Sequence, residues 1–282
     1  YKDRRFRNKN TSIGERIMSV AINGTNGITY NDGSLQSSAI GKNLIINGNM
    51  AINQRGVTGT VSLSAGAYGH DRFKAGASGA TYTFATTANV TTITITAGSL
   101  QQVVEGLNIQ SGTHTLSWTG TTQGKIDAGS YSASGVTGTL TGGTNATVEF
   151  NTGTLTNVQL EEGTTATPFE HLQYGQQLAL CLRYLPVVQA TNYVATGMCF
   201  SATNARCSVQ FPVPSRVSPT GFTTTGAISM TTNNGSGTGS IVWANASTLM
   251  ASLSATGLSG LVAGDATALI GNQSILFTGC EL

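Results

Sequence analysis

The amino-acid sequence predicts an all-β protein: an N-terminal extended arm, a β-sandwich, one short linking helix and a C-terminal β-domain. Three observations carry that expectation. Charged residues make up 9% of the chain, against about 25% in ordinary soluble domains, and Thr, Ser and Asn supply the polar surface instead. Glycine numbers 36 of 282 residues, close to twice the usual share of about 7%. Apolar side chains recur at period two between turn-forming clusters, the spacing of strands that bury one face. Such sequence suits short strands and tight turns better than helices. A surface so poor in charge has weak electrostatic protection against self-association, so an oligomer is expected.

Residues 1–43 form the arm. Its first seventeen residues hold Lys2, Arg4, Arg5, Arg7, Lys9 and Arg16 against Asp3 and Glu15, a balance of +4, while the remainder of the chain carries −2. A basic arm can bind nucleic acid. Only Tyr1 and Phe6 interleave the charges, and no helical stripe follows, so a docking tail is the preferred reading. Within residues 18–43, Asn26-Gly27 and Asp32-Gly33 are turn dipeptides, with Ile28 and Tyr30 alternating between them. Gly14-Glu15 can be encoded by a purine-rich string at ribosome-binding distance from Met18, which makes Met18 a candidate second start.

Residues 44–173 carry the clearest strand pattern. Tyr82/Phe84, Ile93/Ile95, Leu116/Trp118, Val148/Phe150 and Val158/Leu160 each place two apolar side chains on one strand face. Turn signals every 8–12 residues or so between them suggest a sandwich. Trp118 shares a face with Leu116, which favours core packing over a sugar platform. Arg55 and Arg72 are candidates to pair with Asp71, Glu161 or Glu162. Residues 174–187 are the one convincing helix: Leu178, Leu182 and Leu185 recur at i, i+4 and i+7, and Pro186 stops it. Residues 188–282 return to strand pattern, with Val209, Phe211 and Val213 alternating and TTNNGSGTGS (231–240) reading as a flexible loop or hairpin tip. All five prolines lie between Pro168 and Pro219, which marks a junction of two domains.

Several function classes lose support. The four cysteines, Cys181, Cys199, Cys207 and Cys280, contain no C-x-x-C pair, and all three histidines precede them. No metal site or cofactor is expected, and buried free thiols are. No apolar run reaches the length of about 18 residues needed for a membrane span, and the basic start leads into no signal-type apolar stretch. Carboxylates are scattered; Glu161 and Glu162 are adjacent, which points them to opposite faces of a strand, so no dyad for glycoside hydrolysis is visible. No G-x-S-x-G elbow or phosphate-binding glycine motif occurs, and the chain is not expected to be an enzyme, a polysaccharide depolymerase being the enzymatic alternative left open.

Three stretches resemble a family of bacteriophage and prophage tail-fibre proteins. They are GITYNDGSLQSSA (27–39), NLIINGNMAINQRG (43–56) with YGHDRF (68–73), and NVQLEEGTTATPFEHLQYGQQLALCLRYL (157–185). In the family the second opens, and the third closes, a jelly-roll module that resembles carbohydrate-binding modules. FPVPSRVSPT (211–220) is similar to a downstream segment of such fibres. The chain departs from the family where Phe73 replaces the usual Trp and Gln176-Gln177 an acidic pair. The resemblance implies a jelly roll over 44–173, a homotrimer, attachment to other virion tail proteins through the arm (Arg4, Arg5, Phe6 and Arg7), a place in the virion tail, and binding to a host surface polysaccharide. Capsid decoration, or a purely structural tail role, is the alternative. Glycan recognition needs aromatic and amide groups with few charges, and in the C-terminal domain Tyr193, Trp243, Asn233 and Asn234 are the candidates; for Trp243, in SIVWA, core packing is the competing reading.

Overall fold

The computed structural model describes residues 21–23, 27–29, 35–36, 41–189, 192–232, 235–237 and 240–282. The attachment residues Arg4, Arg5, Phe6 and Arg7, the candidate start Met18, the Asp32-Gly33 turn and the glycan candidates Asn233 and Asn234 lie outside them. The chain divides into two compact units, Tyr1–Ile40 and Gly41–Leu282. The first contains a three-stranded antiparallel sheet of β1 (Ala21–Asn23), β2 (Gly27–Thr29) and β3 (Leu35–Gln36), in that order.

The second unit opens with a β-sandwich of β4 (Val61–Leu63), β5 (Lys74–Thr87), β6 (Val90–Val104), β7 (Gly112–Gly120), β8 (Gly124–Ile126), β9 (Val136–Leu140), β10 (Ala146–Phe150) and β11 (Gly153–Glu162). They form one antiparallel sheet, ordered β4-β5-β6-β11-β7-β9, with β10 pairing both β6 and β8. The sheet covers both sides of one core because its longest hairpin is bent. Residues Gly79 (φ +78°) and Gly98 (φ +70°) face each other at an interruption of the β5–β6 register. A Cβ on Gly98 would lie 2.0 Å from the Gly79 carbonyl oxygen, so only glycine permits this approach. Before the bend, Ile93 and Ile95 pair with β11; after it, Leu100–Val104 pair with β10. All five period-two pairs read from the sequence point into this core, Phe84 being its partly buried member. Trp118 is one of them, set edge-on to Phe150 with ring centroids 5.2 Å apart.

Helix α1 spans Tyr174–Leu182, shorter than the expected 174–187. Pro186 has no N–H to bond the Leu182 carbonyl and disfavours helical backbone at Leu185, so the helix ends one turn early. The stripe works nonetheless. Cys181 and Tyr184 pack with Ile46 and Ile52 of the sandwich, Leu182 and Leu185 pack with Val187 and Leu276 beyond it, and Leu178 touches both groups. The helix is a wedge between two β-layers.

Ten strands follow: β12 (Val187–Gln189), β13 (Asn192–Ser201), β14 (Asn204–Gln210), β15 (Gly221–Thr224), β16 (Ile228–Thr232), β17 (Gly235–Gly237), β18 (Ser240–Ala246), β19 (Met250–Thr256), β20 (Ala266–Gly271) and β21 (Ser274–Thr278). Seven make an antiparallel sheet ordered β17-β16-β20-β13-β14-β19-β18, and β12-β21-β15 make a second. Ile275 and Phe277 of the smaller sheet share a core with Cys207, Leu253 and Leu269 of the larger. At the stretch 231–240, the described residues of β16 and β17 pair antiparallel, with Met230 opposite Gly237 and Thr232 opposite Gly235.

Candidate functional site

The stretches 43–56, 68–73 and 157–185 meet at the junction of the sandwich with the C-terminal layers. Asn47, in the left-handed region at φ +61°, fixes its loop: its side-chain amide donates to the Ile52 and Asp71 carbonyls at 2.9 and 3.1 Å, and its oxygen accepts from Ile52 N at 2.9 Å. Its own N–H donates to Gln177 of α1 at 2.9 Å. Gln102 binds the Ile46 N–H and carbonyl, both at 2.9 Å, standing in for a missing strand neighbour.

The expected ion pairs of Arg55 and Arg72 with Asp71, Glu161 or Glu162 are not formed. Asp71 is 1% exposed, and both its oxygens are taken by Gln54, from the backbone N–H at 2.6 Å and the side-chain amide at 2.7 Å. Arg55 pairs with Glu281 instead. Arg72 lies over the Tyr184 ring and donates to the Val103 carbonyl at 2.6 Å. Glu161 is held by Thr167 and by Lys42, 3.5 Å away. The neighbouring Glu162 is exposed, as alternation along a strand requires.

Burial dominates the electrostatics of this junction. It raises the Asp71 carboxyl against the hydrogen bonds from Gln54, and it lifts Glu281 to about 7 even beside Arg55. It pushes Tyr68 up to about 12 and His70 down to about 4. At Glu105 burial pulls upward, but bonds from the Tyr184 hydroxyl (2.7 Å) and Arg183 (3.2 Å) prevail and hold the carboxyl below its ordinary value. Perturbed groups often mark active sites. Here Asp71 and His70 are sealed from solvent and Glu281 faces Arg55, so their arrangement holds layers together rather than presenting groups to a substrate.

The surface candidates lie further along the chain. Across β13, β14, β19 and β18, Met198, Arg206, Ser254 and Val242 form one row on the outer face, while Cys199, Ala205, Ala255 and Ile241 form the next row, facing the core. The outer face carries Tyr193 (77% exposed), Met198 and Phe200. Arg206 is the one charged residue in strands β12 to β21; it donates to Ser254 Oγ at 3.0 Å and covers the Phe200 ring. Beside Tyr193, Asn192, Asn272 and Gln273 line a depression of about 580 Å³.

Trp243 does not join Tyr193. It pairs with Leu253 on the inner side of the same sheet and packs near Phe222 and Phe277, with centroids 6.4 Å from each. The two aromatic candidates are therefore on opposite faces, and the core reading of Trp243 holds. No protein-family model, no curated protein and no solved structure matches the chain. Among the described residues, no group of three or more His, Cys, Asp or Glu side chains is placed to hold a metal ion, and no helix is long and apolar enough to cross a membrane.

Residues that the sequence reading passed over also matter. Gln54, Gln102, Tyr184 and Glu281 set the junction, and the amides of Asn192, Asn272 and Gln273 frame the depression. For Gln54, Asn192, Asn272 and Gln273 a neutral amide next to a turn was the available signal, but it is too common in this Asn-rich chain to single out any of them, and Gln102, Tyr184 and Glu281 carried none.

Proposed function

We propose that the chain is a bacteriophage tail-fibre subunit that attaches the particle to the host cell surface by recognising a surface polysaccharide. The observation that carries this reading is the exposed Tyr193 on the outer face of the seven-stranded sheet, next in the chain to Asn192 of an amide-lined depression, in a domain whose strands hold one charged residue. Sugars are recognised by stacking of apolar ring faces on aromatic rings and by hydrogen bonds from hydroxyls to amides, and neither needs net charge. The resemblance of the stretches at 27–39, 43–56, 68–73 and 157–185 to tail fibres supports the same assignment. In this reading the subunit is a trimer in the virion tail, held to other tail proteins through the basic arm. Closed symmetry covers sheet edges and apolar faces, and many weak sites together give high avidity. No catalytic step is proposed.

The test is binding of the labelled, assembled chain to bacterial cells, with free surface polysaccharide as competitor. Saturable binding that the polysaccharide displaces is the expected result. No binding to any strain by a well-assembled oligomer would transfer the protein to the structural tail or head-decoration class.

A further inference from the structure

A second concave surface lies at the domain junction, apart from Tyr193. It is a cleft of about 1070 Å³ whose walls come from three parts of the unit: the 52–56 loop of the sandwich, helix α1, and the β12, β14 and β21 region of the C-terminal domain. Clefts between domains are favoured ligand sites, and drug-sized ligands occupy roughly 300–1,000 Å³. Its floor is apolar, with Leu178, Leu182 and Val187, and its rim is polar but uncharged apart from Arg55. That guanidinium is engaged by Glu281.

The rim groups are placed and available. Tyr174 is 61% exposed and is the first residue of α1, whose start is fixed by reciprocal bonds between Gln173 and Gln176. Its ring stands between this cleft and a smaller depression of about 270 Å³. Asp71 clamps Gln54 through its N–H and amide nitrogen, leaving the Gln54 side-chain oxygen uncommitted to any described residue. Gln210 ends β14 and is exposed, and its side chain makes no hydrogen bond to a described residue. Gln189 accepts from Ser274 Oγ at 3.0 Å, and its amide N–H groups make no bond to a described residue. An aromatic platform, amide donors and acceptors held by a folded scaffold, and no net charge are the requirements for a neutral sugar.

One wall residue of the cleft is bonded to a wall residue of the depression beside Asn192. Thr225, in the cleft wall, donates to Gln273, in the wall of the other depression, at 3.2 Å. Two depressions whose walls are joined by a hydrogen bond suit an extended chain better than a single sugar.

We propose that this inter-domain cleft is an oligosaccharide site, which seats a neutral glycan segment with one ring on Tyr174 and hydroxyls on Gln54, Gln189 and Gln210. The proposal deepens the attachment reading and rests on it. The experiment uses the full assembled chain and two probes: an array of neutral and acidic glycans, and soluble fragments of three to six sugars cut from the surface polysaccharide of a strain the chain binds. Tyr174→Ala and Gln210→Ala remove exposed groups and leave the core intact; Leu107→Ala, on the sandwich surface, is the control. Calorimetry is expected to show fragment binding weakened about tenfold by Tyr174→Ala and severalfold by Gln210→Ala, with the control unchanged. If wild-type chain binds cells and fragments and both cleft variants bind equally well, the cleft assignment is overturned while attachment stands. Preference for acidic over neutral glycans overturns the neutral class. Absence of binding by the wild type to every strain and every neutral glycan overturns both readings.

Discussion

The guanidinium carbon of Arg72 lies 3.7 Å from the centroid of the Tyr184 ring, and both side chains are almost fully buried. Arg72 belongs to the sandwich and Tyr184 to the turn after α1, so the pair fastens one layer to the next. Arg72 also stands in the left-handed region at φ +71°, which shows how strongly its surroundings fix it. Its Nε and Nη1 find no hydrogen-bond partner among the described residues, leaving the ring face and the Val103 carbonyl to offset the desolvation of the charge. Tyr184→Ala should cost about 3–5 kcal/mol by opening a cavity under a buried cation. Tyr184→Phe should cost only about 1–2 kcal/mol, the loss of the hydroxyl bond to Glu105. Urea unfolding of both variants checks this; equal effects would place the stabilisation in the hydroxyl rather than the ring.

The glycine pair at the β5–β6 bend makes a second test. Gly98→Ala adds a Cβ that meets a backbone carbonyl at 2.0 Å, and it does so at positive φ. No side-chain rearrangement can relieve a backbone clash, so the loss should exceed about 2 kcal/mol. Gly56→Ala is the comparison: its φ is +62°, but nothing lies within 4 Å of the added carbon. It should cost only about 1 kcal/mol, the conformational strain alone. Thermal unfolding of the two proteins separates clash from strain, and similar melting temperatures would count against the bend being sterically enforced.

How much of this was legible in the sequence depends on the range of the interaction. Val148/Phe150 and Leu116/Trp118 face the core because alternation is local and the period is two. The strand order was not legible, since it turns on Gly79 meeting Gly98 and on which neighbour β6 chooses at either side of the bend. In SIVWANA, Ile241 and Trp243 alternate with Val242, but both sets are apolar, so the pattern could not say which faced inward. The structure resolves it through the Leu253 and Ser254 partners on β19. The junction was equally hidden: Arg55 and Glu281 are 226 residues apart in the chain, and charge complementarity alone favoured the nearer carboxylates Asp71, Glu161 and Glu162. Helix α1 was visible from its leucines, but its end was placed at Pro186, although the proline acts on the turn before it.

The four cysteines are all buried and unpaired. Burial raises the thiol of Cys181 well above its ordinary value and that of Cys207 to about 11, so both thiolate fraction and access are low. With a thiol-reactive aromatic disulfide at pH 8, native protein should show no fast labelling, and denatured protein should release four equivalents. Fast labelling of any of the four in the native state would mean that its layer opens locally without global unfolding.

Two buried groups near the junction should give opposite pH dependences. Glu281 rises from 4.5 to about 7 on folding. The folded state then binds a proton more tightly than the unfolded chain, so the stability it confers is complete below pH 4.5 and is lost as pH rises to about 7, by about 3 kcal/mol. His70 falls from 6.5 to about 4, so its contribution is present above pH 6.5 and is lost as pH falls toward 4. Between about pH 4.5 and 6.5 the two slopes oppose each other. Subtracting the wild-type stability curve from that of Glu281→Gln should leave a difference that increases with pH across 4.5–7. The same subtraction for His70→Asn should leave one that decreases with pH across 4–6.5. The attraction of Arg55 for the ionised Glu281 is already part of its folded-state value, and any pH-independent effect of the substitution displaces the whole curve without changing its slope. The slope is therefore the quantity to read from urea titrations at half-unit pH intervals. Parallel curves for wild type and Glu281→Gln would mean that Glu281 keeps an ordinary carboxyl pKa, with Arg55 outweighing its burial.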